Sequence, residues 1–366
     1  MRLVLDVKTL NAGIATVIKS LSSRPALPIL EGIYLCASPE GLLLRCSDLS
    51  LQIECVIPAT VEEEGAIVVP GRLFSEMARK FPGETVDLKL KDRTMQMRSG
   101  RSNTSLQCVD AREFPDMSVT GKTRTIHIPQ GILKDMIRQT VFATAQEESK
   151  PILTGVLCEL DENLFTMVAL DGFRLALRRT PISMEFEHME FVVPAKSFQE
   201  ISKTLLDTDE EIEVQFSPTH LKIDMGHTKV VSRLLDGDFI RYRSILPTDH
   251  LTRVRINRFE LLDSIDRAIL MAREATNNLV RFSITEESFK LTANSAIGRV
   301  EEEISIHLNG DPIEIAFNAR YFSDVLKSLD DEEIFLDMNN NVSPCVVRPT
   351  QGDAYYYLIL PVRIFA

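Results

Sequence analysis

Asp48 and Asp171 are the acidic pair with the clearest claim to chemistry in this 366-residue chain, because two carboxylates in equivalent settings could hold a metal or divide acid and base roles. The position that completes their series is Asn294, which is no carboxylate, and a turn-forming role for a short polar side chain explains all three with one reason. The six histidines (His127, His188, His220, His227, His250, His307) are scattered, with no HExxH and no Cys/His cluster at zinc spacing. Neither a GxxxxGK[ST] loop nor a GxSxG elbow occurs. Arg98-Ser-Gly-Arg-Ser102 has the look of a phosphate-binding turn, but a glycine between two alternating segments predicts a tight hairpin. No catalytic residue, metal or cofactor is therefore expected. The six cysteines (Cys36, Cys46, Cys55, Cys108, Cys158, Cys345) show no CxxC pair and read as reduced, mostly buried thiols of a cytoplasmic protein.

The elements around these residues repeat. VVPGRLFSEMARKF begins at Val68, VVPAKSFQEISKTL at Val192 and AFNARYFSDVLKSL at Ala316. Pro70, Pro194 and Asn318 recur every 124 residues, as do Phe74, Phe198 and Phe322, and Asp48, Asp171 and Asn294 recur every 123. Three units follow, residues 1–122, 123–249 and 250–366, with polar linkers at Ser118–Thr125 and Pro247–Arg253. Each unit is expected to carry two helices, and in one of them Phe74, Met77 and Phe81 would share a face. Strands show as alternation: Leu49, Leu51, Ile53, Cys55 and Ile57; Val86, Leu88 and Leu90; Ile304, Ile306 and Leu308. A helix followed by about three antiparallel strands, twice per unit, gives an α+β fold with helices on one side of each sheet.

Composition narrows the function. Apolar residues at 44% and charged residues at 26% describe a globular protein, and no run nears the ~20 apolar residues of a membrane span. The start, MRLVLDVKTL, carries an acid and a lysine too early for a signal peptide. A net charge of −12 argues against indiscriminate nucleic-acid binding. The helices nonetheless lean basic, with Arg72, Arg79, Lys80, Lys134, Arg138, Lys196, Lys203, Arg320 and Lys327, while the acids gather at Asp207–Glu211, Glu301–Glu303 and Asp330–Glu333. Repeated on three units that curve with helices inside, such residues would form a positive lining that attracts a phosphate backbone without reading bases.

Along its length the chain resembles the bacterial β sliding clamps, the processivity subunit of DNA polymerase III. The resemblance rests on Arg24-Pro-Ala-Leu-Pro-Ile-Leu30, Arg98-Ser-Gly-Arg-Ser102, Ala169-Leu-Asp-Gly-Phe-Arg-Leu175, Asp236-Gly-Asp-Phe239, Tyr242-Arg-Ser-Ile-Leu-Pro247 and Leu360-Pro-Val-Arg363. It implies a clamp-fold chain forming half of a closed ring, a head-to-tail homodimer around duplex DNA. The implied partners are the polymerase III alpha subunit, the clamp loader, and other polymerases and repair proteins that bring short linear motifs. DNA contacts would fall to Arg24, Arg72, Arg79, Lys80, Arg138, Lys150, Lys196, Lys203, Arg320 and Lys327, with Pro151 and Ile152 where some members have aromatic residues. A partner-peptide pocket would use Leu153, Leu170, Gly172, Phe173, Arg174, Leu175, Ile240, Ser244, Ile245, Asn318, Tyr321, Val342, Pro344, Leu358, Leu360, Val362 and Arg363, the two arginines holding polar ends. Phe173, Ile240 and Ser244 depart from residues common in the family, and Phe365 and Ala366 extend past its usual end. The dimer contact would use Thr104 and Leu106 against Leu270 and Met271. The competing readings are a metal-dependent hydrolase built on Asp48 and Asp171, and a repeat scaffold that binds only proteins.

Overall fold

Alternating apolar and polar residues make most of this chain strand, and the computed structural model describes all of it except residues 23–24, 120, 148–149, 275–277 and 364–366. Among the described residues there are six α-helices: α1 (Val7–Val17), α2 (Gly71–Ala78), α3 (Gln130–Arg138), α4 (Ala195–Ser202), α5 (Arg258–Ala272) and α6 (Ala319–Ser328). Short polar side chains start three of them. Asp6 Oδ1 accepts from the Thr9 amide at 2.8 Å, Asn257 Oδ1 from Phe259 at 2.9 Å, and Asn318 Oδ1 from Arg320 at 3.0 Å, each cap contributing about 1 kcal/mol.

The described residues divide into two compact units, residues 1–132 with 196–234, and 133–195 with 235–366. The first holds two antiparallel sheets. One has five strands in the order Thr60–Glu63, Arg2–Asp6, Thr85–Lys91, Thr94–Ser99, Ser102–Gln107. The other has eight: Arg124–Pro129, Glu211–Phe216, His220–Asp224, Thr228–Arg233, Leu51–Ile57, Gly41–Ser47, Gly32–Ser38, Gly65–Pro70. Its middle is a joint between consecutive repeats, with Thr228 opposite Cys55 and Ser232 opposite Leu51.

The second unit is built alike. Seven strands run Gly155–Leu170, Arg174–Pro194, Tyr355–Ile359, Cys345–Pro349, Glu333–Met338, Thr252–Asn257, His307–Gly310, and four run Gly298–Ile304, Phe289–Ser295, Leu279–Ile284, Ile313–Asn318. Here Arg174 lies opposite Ile359 and Arg178 opposite Tyr355, again joining strands of different repeats. Compact units and sequence repeats therefore cut the chain at different places. The repeat persists in the cores: Leu30, Val68 and Phe114 cluster together, and so do Leu153, Val192 and Phe239.

Several expectations shift. The helix α2 ends at Ala78, so its buried face is Gly71, Phe74, Ser75 and Ala78, while Phe81 lies beyond it and Met77 is half-buried. Leu49 is an exposed turn residue at φ 73°, outside the strand that starts at Leu51, and Gln52 on that strand's supposed wet face is buried. Ile304 and Leu308 belong to different sheets, because the chain breaks off at Ser305–Ile306 between them. Both linkers are shorter than read, since strands begin at Arg124 and Thr252. The hairpin at Arg98–Ser102 forms as expected, with Ser99 opposite Ser102 and Gly100 at φ 55°. All six cysteines are free, five buried and Cys36 half-buried, and burial pushes the thiols of Cys46, Cys158 and Cys345 well up.

The second unit's core centres on Phe282, whose ring lies 4.8 Å from Phe289, 5.3 Å from Phe317 and 5.0 Å from Phe322. Phe282→Ala should remove about 3–5 kcal/mol of stability. A urea titration followed by circular dichroism checks this, and an unchanged midpoint would contradict the packing described.

Candidate functional site

The acid pair is a pair of turns. Asp48 Oδ1 accepts from the amides of Ser50 (2.9 Å) and Leu51 (2.7 Å), and Asp171 Oδ1 from those of Phe173 (2.8 Å) and Arg174 (3.0 Å). Asn294 breaks the series: it sits within a strand opposite Arg299, and the Ser295 hydroxyl accepts at the turn beyond it. The shared-role expectation holds for two positions of three. Neither aspartate is arranged as a hydrolytic centre.

The predicted peptide site lies within the second unit, and its floor is a closed core. Leu153, Leu170, Leu175 and Leu358 cluster with Leu157, Val168, Leu177, Val192, Phe239 and Tyr242. Above that core the structure leaves large apolar side chains in solvent, with Phe173 and Val342 each 60% exposed, Ile245 46%, Ile240 39% and Leu360 37%. Phe173 and Leu360 are bonded neighbours, since the Leu360 amide donates to the Phe173 carbonyl at 2.9 Å. The Phe173 ring stacks on Tyr321 at 6.3 Å between centroids. Gly172, at φ 96°, supplies the left-handed residue of the turn that presents Phe173, and nothing lies within 4 Å of where a Cβ would stand. Ile240, Ser244 and Ile245 flank the buried Tyr242 on one irregular segment, and the Val362 amide donates to the Ala316 carbonyl at 2.8 Å, tying down the tail.

Four predicted members play further parts. Arg174 is fully engaged: Nε donates to Asp171 Oδ2 at 3.1 Å, Nη1 to Asp324 Oδ2 at 2.5 Å and Nη2 to the Phe142 carbonyl at 2.7 Å. Its guanidinium also lies 4.7 Å from the Tyr321 ring centroid. It braces the floor with one bond from each of its three nitrogens, whereas Arg363 is exposed. Asn318 is spent as the α6 cap, and Val342 takes its place in a turn capped by Asn340, its amide donating to Asn340 Oδ1 at 3.0 Å. Pro344 lines a small polar cavity with His250, Asp337, Arg348 and Tyr356. Phe365 and Ala366 lie outside the described residues. Sequence reading missed Tyr242, although the motif that contains it was in view.

The basic helices are less uniform than their sequence. In the first unit Arg72, Arg79, Lys80 and Lys196 are exposed and make no ion pair among the described residues; Lys203 is exposed but pairs with Glu200 at 2.7 Å. In the second, Arg320 and Lys150 are exposed and make no ion pair among the described residues, and Lys327 pairs with Asp266 at 3.1 Å. Lys134 is half-buried. Arg138 is half-buried and engaged within the chain, donating to Asp135, to Asp330 and to the Ser328 carbonyl that ends α6. Arg24 lies outside the described residues.

Comparison with known proteins settles what carries these features. Family models of the DNA polymerase III beta subunit match in order: the N-terminal domain at residues 1–118, the central domain at 127–240 and the C-terminal domain at 243–363. The beta sliding clamp of Bacillus subtilis is 35% identical over 378 residues, spanning 100% of both chains. The chain belongs to the beta sliding clamp family.

The crystal structure of the Bacillus subtilis clamp matches with a TM-score of 0.97 over 100% of both chains. A putative DNA polymerase III beta subunit from Eubacterium rectale, 34% identical, matches at 0.94 over the same span. The beta sliding clamp of Staphylococcus epidermidis is 32% identical over 95% of each chain. Beta sliding clamps are non-catalytic processivity factors of DNA replication, and membership carries DNA and polymerase partners and a ring dimer. Among the described residues no helix is long and apolar enough to cross a membrane.

Ser102–Gln107 ends the five-stranded sheet and Gly298–Ile304 ends the four-stranded one, each with one unpaired side. Leu270 is 51% exposed and Met271 half-buried, while Thr104 is half-buried and Leu106 already buried within its own unit.

The division between floor and surface is testable. Leu360→Ala and Phe173→Ala should weaken a bound partner peptide about tenfold or more, at ~1.5–3 kcal/mol per lost apolar contact, while changing melting temperature little. Leu175→Ala should instead lower stability by about 2–5 kcal/mol. Anisotropy titrations beside thermal melts check both, and tight peptide binding by the two surface variants would remove them from the site.

Proposed function

We propose that this chain closes head to tail with a second copy around duplex DNA in the cytoplasm. Through short linear motifs it tethers the DNA polymerase III alpha subunit, the clamp loader, and other polymerases and repair proteins. The observation that carries the partner-capture part is the set of exposed apolar residues, Phe173, Ile240, Ile245 and Leu360, above a closed aliphatic floor in the second unit. A peptide with one or two apolar anchors suits these residues. Phe173 and its stacked Tyr321 favour a motif with an aromatic anchor.

Retention rests on topology, so the DNA contacts need only attract the backbone without gripping it. Exposed Arg72, Arg79, Lys80, Lys196, Arg320 and Lys150, which make no ion pair among the described residues, with Lys203 and Lys327, are the proposed DNA face. The domain limits 1–122, 123–249 and 250–366 are proposed as those of the clamp domains. Each edge strand would add a partner copy's edge, and the acidic run Glu301–Glu303 on one complements Arg98 and Arg101 beside the other.

The ring reading predicts retention on circular DNA, after loading with clamp loader and ATP, and release once the circle is cut. Equal loss from both forms would refute it. Glu at Arg72, Arg79, Lys196 and Lys203 should reduce retention and flatten its salt dependence, because each lost phosphate contact removes roughly 0.9 from the log–log slope. Charged residues at Leu270 and Met271 together should give monomers in sedimentation, and an unchanged dimer would move the interface elsewhere.

A further inference from the structure

The segment that carries Ile240, Ser244 and Ile245 has little backbone of its own to hold it. Its one regular piece is a single turn, Tyr242–Ile245. From Asp236 to Leu246, the backbone bonds among the described residues stay within the segment: Tyr242 N to Ile240 O at 2.6 Å and Ser244 N to Arg241 O at 3.2 Å. Side chains supply the tie. The Tyr242 hydroxyl donates to Glu159 Oε2 at 2.6 Å, and Arg243 Nη2 stands 2.7 Å from Glu159 Oε1. Burial first, and the Glu159 carboxylate second, push the Tyr242 phenol up, so it remains a donor throughout the neutral range.

Glu159 is 1% exposed, on a strand beneath the core cluster to which the Tyr242 ring belongs. Three further groups face it. His188 Nδ1 is 3.2 Å from Oε1, the same ring's Nε2 is 3.2 Å from Glu190 Oε1, and Asp161 Oδ2 is 3.8 Å from both His188 and Arg243. Glu159, Asp161 and His188 place donor atoms within 4.8 Å of one another, a spacing that would serve a metal ion. Arg243 already occupies the approach to Oε1, so the cation of this cluster is the protein's own guanidinium.

We infer that Glu159 is a positioning residue for partner capture: it fixes Tyr242 and Arg243, and through them the pose of Ile240 and Ile245 at the peptide site. The inference rests on the proposed peptide reading and adds to it a residue that no partner would touch. A buried carboxylate is suited to this task, because a pose that withdraws the Arg243 guanidinium or the Tyr242 hydroxyl leaves it short of a counter-charge or a donor, and the penalty falls on alternative poses. The alternative is that Glu159 only stabilises the unit, with the segment held by packing of Phe239, Tyr242 and Leu246.

The test uses full-length protein and a fluorescein-labelled synthetic peptide ending in adjacent Leu and Phe. Arg243→Ala alters a side chain that is 56% exposed and should fold. It is expected to weaken the peptide about tenfold and speed hydrogen exchange of amides 240–246 severalfold, with Arg243→Lys restoring most of both. Glu159→Gln, which keeps an acceptor for Tyr242, should fall between them. Wild-type peptide affinity together with unchanged exchange at 240–246 in Arg243→Ala and Glu159→Gln would overturn the inference. A wild-type chain that does not bind the peptide would instead refute the peptide reading, and exchange at 240–246 would still report whether the anchor holds the segment.

Discussion

Unpaired strand edges are the constraint on which the rest of this structure depends. A strand with one free side leaves a row of backbone donors and acceptors unmet, and burial makes each of them costly. Two such edges are closed inside the chain by pairing between repeats, Thr228–Ser232 with Leu51–Cys55 and Arg174–Arg178 with Tyr355–Ile359. Those joints create eight- and seven-stranded sheets, and they make the compact units different from the sequence repeats. The edges at Ser102–Gln107 and Gly298–Ile304 keep one side open.

The exposed apolar residues of the proposed peptide site depend on the second joint. Pairing Arg174–Arg178 with Tyr355–Ile359 brings Leu175 opposite Leu358 and sets Phe173 beside Leu360. Because strand side chains alternate, the residues facing inward close the floor and those just past the strand ends stay in solvent. Arg174 locks this arrangement with three separate acceptors and an aromatic face, which is why a residue that looks like a ligand-binding arginine acts as a brace. Buried floor and exposed apolar surface thus fall to neighbouring residues of these paired strands.

Charge is divided in a comparable way. The chain is acidic as a whole, at −12, yet exposed cations that make no ion pair among the described residues remain on α2, α4 and α6. Cations held by acids, such as Arg138 and Lys327, contribute less field than their number implies. An acidic balance over the whole chain suits a clamp that must slide, since each firm phosphate contact would have to be broken at every step.

The sequence by itself determined the repeat, the α+β class, the hairpin at Gly100, the family and most of the apolar floor. These are local or periodic signals: spacing, alternation, turn chemistry and long motifs in order. Tertiary structure decided what those signals cannot hold. Whether Leu49 continues a strand or turns away from it, and whether Ile304 and Leu308 share a sheet, depends on which distant strand offers hydrogen bonds. Asp135 and Asp171 sit within reach of Arg138 and Arg174 along the chain, but the acids that complete their pairing, Asp330 and Asp324, arrive from a different repeat. Glu159 was one acid among 53 in the sequence. Only the fold brought it within 2.7 Å of Arg243 and under Tyr242, because that contact joins a strand to a loop more than eighty residues away, and no pattern along the chain encodes such a distance.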